Sequence, residues 1–201
     1  MALCGLFAAL MAICSFISIP LGFTPVPVNL GTLGVFLTGG VLGRKYGTVS
    51  MTVYVLLGAV GVPVFAGFRG GLSVLVGPTG GYIIGYIAAA FLIGWLVDLM
   101  LADKVLDGSA SSYEKAGASS SVPSGAETAY ARSRTRELIC CIAAMIIGLL
   151  TCYTLGTAWF IISTNTGVWA SLAACVFPFL PGDALKIAAG AFLVQKLRRM
   201  I

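Results

Sequence analysis

The chain consists of long apolar runs separated by short polar or turn-rich segments. Six runs follow one another, at about residues 2–20, 30–43, 48–62, 79–101, 137–162 and 183–199. About 20 apolar residues in a helix span the hydrocarbon of a bilayer, and some of these runs are shorter than that. The pattern predicts an all-α integral membrane protein with six transmembrane helices, forming a single membrane domain over residues 1–201.

Three irregular segments, Pro20–Asn29, Pro63–Gly81 and Ser163–Gly182, interrupt the apolar pattern. Each is rich in proline or glycine, which excludes a continuous helix. Non-helical backbone at membrane depth is tolerated only where it is buried in protein or lines a cavity. Interrupted helices are also the best pointer in a sequence to a binding site. We therefore predict a pocket built from these three segments.

A fourth segment, residues 103–136, differs from the rest because it is rich in serine, alanine and charged residues. Such a composition buries too little apolar surface to fix its own structure. We predict a flexible cytoplasmic loop without chemistry within the membrane domain.

Charge sets the predicted orientation. Only 9% of the residues are charged, against about 25% in soluble domains, which excludes a soluble enzyme or a nucleic-acid-binding domain. With a cytoplasmic N-terminus, the inner segments contain all the lysines and arginines except Arg69 and Lys186. Positive residues concentrate on the cytoplasmic side of membrane proteins. Both termini are therefore predicted to be cytoplasmic and the three irregular segments external.

Three charged residues are candidates for ligand binding. Asp183 and Lys186 lie three apart at the start of the last helix and so share a face. Intramembrane ionisable residues are functional candidates, although this pair could equally neutralise itself at a helix start. Arg69, among the glycines of the second irregular segment, could hold a carboxylate or extend to lipid headgroups.

The sequence shows no signature of catalysis or metal binding. Histidine is absent, the six cysteines lie in apolar runs and read as small buried hydrophobes, and no set of paired acids lies in the helices. We therefore predict no catalytic residues, no metal site and no cofactor.

Small and aromatic residues each allow two interpretations. Ala8 and Ala12 form a small-xxx-small pair that serves either packing within the chain or docking of a partner helix. Several aromatic residues lie near the predicted external boundary, where they form either an interfacial belt or the wall of an apolar pocket. They are Phe65, Phe68, Tyr82, Tyr86, Trp159 and Trp169.

An ordered set of motifs resembles a known family. The motifs are Ile19-Pro20 with Pro25-Val-Pro27, Gly61-Val-Pro-Val-Phe-Ala-Gly67, Arg69-Gly-Gly71, Gly77-Pro-Thr-Gly-Gly-Tyr82 and Pro178-Phe-Leu-Pro-Gly-Asp183-Ala-Leu-Lys186. Together they resemble the BioY family, the biotin-binding S-components of energy-coupling-factor transporters. The resemblance covers nearly the whole chain apart from residues 103–136. It departs at Asn29-Leu-Gly31, where the family usually continues differently after Pro-Val-Pro.

The resemblance implies the S-component fold in a bacterial cell membrane, with biotin as ligand. It implies further partners: a transmembrane coupling protein that contacts Ala8 and Ala12, and two cytoplasmic ATPases. Ligand contacts are implied for one set of residues: Asp183, Lys186, Arg69, Tyr82, Phe68, Gly70 and Gly81. Alternatives are an S-component for another water-soluble vitamin or a stand-alone carrier. A membrane enzyme or a channel is disfavoured, because this chain lacks the polar residues that either would need in its helices.

Overall fold

The computed structural model of the protein describes residues 2–22, 24–115 and 126–198, of which 101–115 and 126–136 are described in their backbone only. Within these ranges the chain is mostly helical. Its elements are α1 (Ala2–Phe16), β1 (Ser18–Ile19), β2 (Val28–Asn29), α2 (Gly31–Val60), α3 (Leu72–Val76), α4 (Gly80–Lys115), α5 (Ala126–Thr164), α6 (Val168–Cys175) and α7 (Leu180–Arg198). The two short strands pair antiparallel and close the base of the first irregular segment.

Helix α2 is broken at Gly43, whose φ of 72° and ψ of −174° are not helical. A Cβ on Gly47 would lie 3.0 Å from the carbonyl oxygen of Thr38, whereas nine residues of straight helix span about 13.5 Å. The chain therefore reverses at Gly43, and residues 31–42 and 44–60 form two antiparallel arms. The Asp98 carboxylate of α4 accepts the Arg44 N–H at 2.8 Å and caps the second arm.

The helices agree broadly with the predicted runs. Among the described residues, two helical spans, Gly80–Met100 and Glu137–Thr164, are long and apolar enough to cross a membrane. Helices α6 and α7 would make a third if their 50° bend lies within one span. The two arms of α2 correspond to the predicted runs at 30–43 and 48–62, but the turn between them is shorter than the predicted Gly43–Gly47 stop. The predicted count of six spans and the predicted cytoplasmic termini stay predictions.

Helical backbone extends into the segment that was predicted to be a loop. Helix α4 continues to Lys115 and α5 begins at Ala126, so much of 103–136 is helical in its backbone. Residues 116–125 lie outside the described residues. The expected flexibility of this segment stays a prediction.

The two ends of the bundle differ in chemistry. At one end lie the break at Gly43 and the C-terminal turn of α7 with Lys196 and Arg198. At the other end the three irregular segments come together around a cavity. The positive-inside rule would make this second end external.

Candidate ligand-binding site

A cavity of about 730 Å³, including space open to solvent, lies at the end of the bundle where the irregular segments meet. All three irregular segments contribute to its wall, together with the adjoining ends of α1, α2, α4, α5 and α7. The predicted assembly of these segments into one pocket is therefore present in the structure.

Asp183 and Lys186 form a buried ion pair in the wall of this cavity. They are only 1% and 8% exposed, and Lys186 Nζ lies 2.7 Å from Asp183 Oδ1. Thr32 of α2 also donates to Asp183 Oδ1, at 2.9 Å, and the Tyr153 hydroxyl of α5 donates to Oδ2. Buried charges persist when they are paired and hydrogen-bonded, and here three elements satisfy one carboxylate.

The Lys186 ammonium has all three of its N–H donors engaged within the protein. Besides Asp183, it donates to the backbone carbonyl of Asn29 at 2.6 Å and to Thr32 Oγ1 at 3.2 Å. A lysine ammonium has three donors and no acceptor. Lys186 therefore ties the end of the first irregular segment to α7, and it can donate to a ligand only by giving up one of these bonds.

Asp183, in contrast, keeps the capacity to accept another hydrogen bond. A carboxylate offers about four lone-pair positions. Oδ1 accepts from Lys186 and Thr32, and Oδ2 accepts from Tyr153. Among the described residues no further donor to Oδ2 is found, so one position on it is left to accept an N–H from a molecule in the cavity.

Arg69 lies at the exposed rim of the same cavity. In the part of the chain that is described, its guanidinium makes one hydrogen bond, from Nε to the Ala66 carbonyl at 3.4 Å. A guanidinium has five donors. Arg69 is thus the cation of the cavity wall with donors to spare.

The loop that carries Arg69 is held against α1 and α2. Phe65 is buried and meets Tyr54 edge to face at 5.6 Å. Phe68 has a φ of 56°, unusual for a residue with a side chain, and its ring stacks on Phe16 at 4.4 Å. Phe68 is 66% exposed and does not line the cavity, so its predicted ligand contact has no support in this geometry.

The glycines predicted to contact the ligand pack against protein instead. A Cβ on Gly70 would lie 2.9 Å from the Gly61 carbonyl oxygen, and one on Gly81 would meet the side chain of Trp159. Neither glycine lines the cavity. Tyr82 does line it, and its hydroxyl lies 3.3 Å from Thr157 Oγ1 and 3.4 Å from the Cys175 carbonyl.

Half of the six aromatic residues that suggested an interfacial belt do not form one. Phe65, Tyr82 and Tyr86 are buried because they fill the space between helices around the cavity. Trp159 donates its indole N–H to the Gly77 carbonyl at 3.0 Å and so holds the glycine-rich turn before α4. Phe68 and Trp169 are the exposed members of the set.

Ala8 and Ala12 face the interior of the chain. They are 4% and 9% exposed and belong to the hydrophobic core, which is the packing role that their spacing also allowed. The outward face of α1 carries a different small pair, Gly5 and Ala9, also four residues apart. A Cβ on Gly5 would meet no atom within 4 Å. A partner helix could therefore approach α1 closely at Gly5 and Ala9.

Two donors to Asp183, Thr32 and Tyr153, were not predicted from the sequence. Both residue types are ordinary in helices, and their partner Asp183 is 151 and 30 residues away along the chain. One signal was available, since a tyrosine hydroxyl within an apolar helix must find a hydrogen-bond partner.

Comparisons with known proteins agree on one family. A model of the BioY family matches residues 1–201. The biotin transporter BioY of Rhodobacter capsulatus is 33% identical over 205 residues, covering 97% of this chain and 90% of that protein. The biotin transporter BioY of Thermotoga maritima is 57% identical over 94 residues, 47% of this chain and 54% of that protein, so that match spans about half of each.

A solved structure resembles the whole fold. It is a crystal structure, at 2.1 Å, of the S-component for biotin from an ECF-type ABC transporter. The similarity has a TM-score of 0.75 at 27% sequence identity, and it covers 98% of this chain and 89% of that chain.

Proposed function

This chain belongs to the BioY family, and from that premise we propose that it captures biotin in the cavity and delivers it across the membrane with an ATP-driven energising module. Family membership makes it a transporter subunit rather than an enzyme, as the sequence predicted. A multi-pass position in a bacterial cell membrane, with the cavity facing outwards, is part of the proposal.

One observation supports the ligand assignment most directly: the buried Asp183 carboxylate has one acceptor position left in the wall of the cavity. Biotin carries a ureido ring with N–H donors, an apolar sulfur ring and a carboxylate. A ureido N–H can donate to the acceptor position left on Asp183, and the biotin carboxylate can accept from the guanidinium of Arg69 at the rim. Asp183, Lys186 and Arg69 together carry one positive charge, which the ligand carboxylate balances.

Titration of the purified protein with water-soluble vitamins tests this function. We expect saturable binding of biotin with one molecule per chain and no comparable binding of thiamine, which is a cation without a ureido group. Tight thiamine or riboflavin binding would instead support the alternative of a different vitamin. Uptake by reconstituted protein without any ATPase would support the stand-alone carrier.

Delivery requires a surface for the coupling protein, and we place it on the outward face of α1 at Gly5 and Ala9. The sequence pointed to the same helix, but the structure buries Ala8 and Ala12. Small residues allow two helices to approach closely in a membrane. The other proposed partners, the coupling protein and two ATPases, follow from the similarity to an ECF S-component.

Ala9→Trp is therefore expected to leave biotin binding by the purified chain unchanged while lowering energised uptake at least roughly tenfold, because a bulky ring prevents close helix approach. Binding is measured by titration and uptake with labelled biotin in cells that contain the energising module. Leu150→Trp is the matched control, since Leu150 is also exposed but lies on α5. Normal uptake by Ala9→Trp, or equal losses in both variants, would contradict the docking surface.

A further inference from the structure

We propose that Tyr153 is a positioning residue for ligand recognition, which aims the free acceptor position of Asp183 into the cavity. The inference rests on the proposed function and extends it to a residue on a different helix. Tyr153 acts through Asp183 and need not touch the ligand itself.

The geometry gives Tyr153 a role that the other two donors cannot fill. Lys186 and Thr32 both bind Oδ1, at 2.7 Å and 2.9 Å. Bonds to Oδ1 alone restrain rotation about the Cβ–Cγ bond from one side of the carboxylate only. The Tyr153 hydroxyl binds the other oxygen, Oδ2, and so fixes the plane of the group.

The same contact sets the direction of the remaining acceptor position. That position belongs to Oδ2, the oxygen that Tyr153 holds. When the phenol occupies one lone pair, the other is left in a defined direction relative to α5 and α7. Preorganised groups bind more tightly because less ordering is required when the ligand arrives.

A purely structural role for Tyr153 would change ligand affinities in a different way. If its hydroxyl only satisfies a buried polar group, its loss destabilises the fold and weakens every ligand to the same extent. If it aims Asp183, its loss weakens only ligands that donate an N–H to Asp183. The two roles separate when two ligands that differ in one N–H are compared.

The experiment measures binding of biotin and of its two mono-N-methylated ureido analogues to the wild type and to Tyr153→Phe. For Tyr153→Phe we expect a loss in biotin affinity of roughly 10- to 100-fold, the range for a hydrogen bond to a charged group. For the analogue whose methyl replaces the N–H that faces Asp183, the loss should be less than about threefold, because that contact is already missing.

Two further variants sharpen the result. Tyr54→Phe is the matched control, because Tyr54 also lines the cavity but its hydroxyl bonds with Ser15 and with the Val64 carbonyl. Any loss it causes should be equal for biotin and both analogues. In the double variant of Tyr153→Phe with Asp183→Asn, the tyrosine change should have little additional effect.

The outcomes distinguish a failure of the positioning role from a failure of the proposed biotin binding. Equal losses for biotin and both analogues in Tyr153→Phe, or no loss at all, would overturn the positioning role while leaving biotin binding by the wild type in place. A wild type that fails to bind biotin would overturn the proposed function itself.

Discussion

Asp183→Asn is expected to weaken biotin binding by about two to four orders of magnitude. Breaking a buried, charged set by removing one partner costs about 3–5 kcal/mol. The substitution preserves shape but replaces one acceptor oxygen with an NH₂ donor. Three donors, from Lys186, Thr32 and Tyr153, converge on this side chain, so the amide must direct its NH₂ towards at least one of them.

Isothermal titration of detergent-solubilised protein measures this loss, and the melting temperature shows whether the variant is folded. Asp98→Asn is the matched control, since it makes the same acid-to-amide change at the opposite end of the bundle. Asparagine also caps helices well, so the cap on Arg44 survives and biotin affinity should stay within about threefold of the wild type. Unchanged affinity in a folded Asp183→Asn would show that Asp183 does not bind the ligand and that its ion pair with Lys186 only stabilises the start of α7.

The position of the pocket was predictable because its signal is local. Proline and glycine break helices wherever they occur, and broken helices in a membrane protein must bury their backbone or line a cavity. Pro20–Asn29 and Pro63–Gly81 could therefore be assigned to the site before any contact was known. Asp183 and Lys186 were predictable for a similar reason, since a spacing of three residues places both side chains on one helix face.

The sequence did not predict which side of a helix packs inwards or which residues distant along the chain contact each other. Every residue of α1 from Ala2 to Cys14 is apolar or glycine, so no polar stripe shows which side turns inwards. Packing of α1 against α2 turns Ala8 and Ala12 inwards and leaves Gly5 and Ala9 exposed. A Cβ on Gly34 would meet Met11 and Cys14, which shows how closely the inner face of α1 approaches α2.

The same limit applies to the donors around Asp183. A threonine and a tyrosine in apolar helices carry no sign of what they bond to, because the partner is determined by how the helices assemble. The turn at Gly43 is a further case. Its glycine and the following basic residues signalled a break, but the cap from Asp98, 54 residues away from Arg44, requires the fold.

Substitution of Arg69 is expected to cause the second large loss of biotin affinity, because we assign the biotin carboxylate to this residue. Lys186 has its three donors engaged by Asp183, Thr32 and Asn29, whereas Arg69 makes one long hydrogen bond among the described residues. We therefore place the carboxylate at the rim beside Arg69 and the ureido ring beside Asp183.

Arg69→Ala should lower biotin affinity by roughly 10- to 100-fold, because a charge-assisted contact contributes about 1.5–3 kcal/mol. The discriminating ligand is biotin amide, which lacks the negative charge. In the wild type the amide should bind more weakly than the acid, and in Arg69→Ala the two should bind about equally.

Lys186→Met serves as the comparison, since it removes the other cation while retaining an apolar stem. Loss of Lys186 leaves the buried Asp183 with fewer partners and releases the Asn29 carbonyl, so acid and amide should both bind more weakly. Their affinity ratio should nevertheless stay close to that of the wild type, because Arg69 still holds the carboxylate. The opposite result is that acid and amide bind equally to Lys186→Met but still differ in affinity for Arg69→Ala. It would show that the ligand lies the other way round, with its carboxylate at the buried pair. Lys186 would then give up one of its protein contacts to bind the carboxylate.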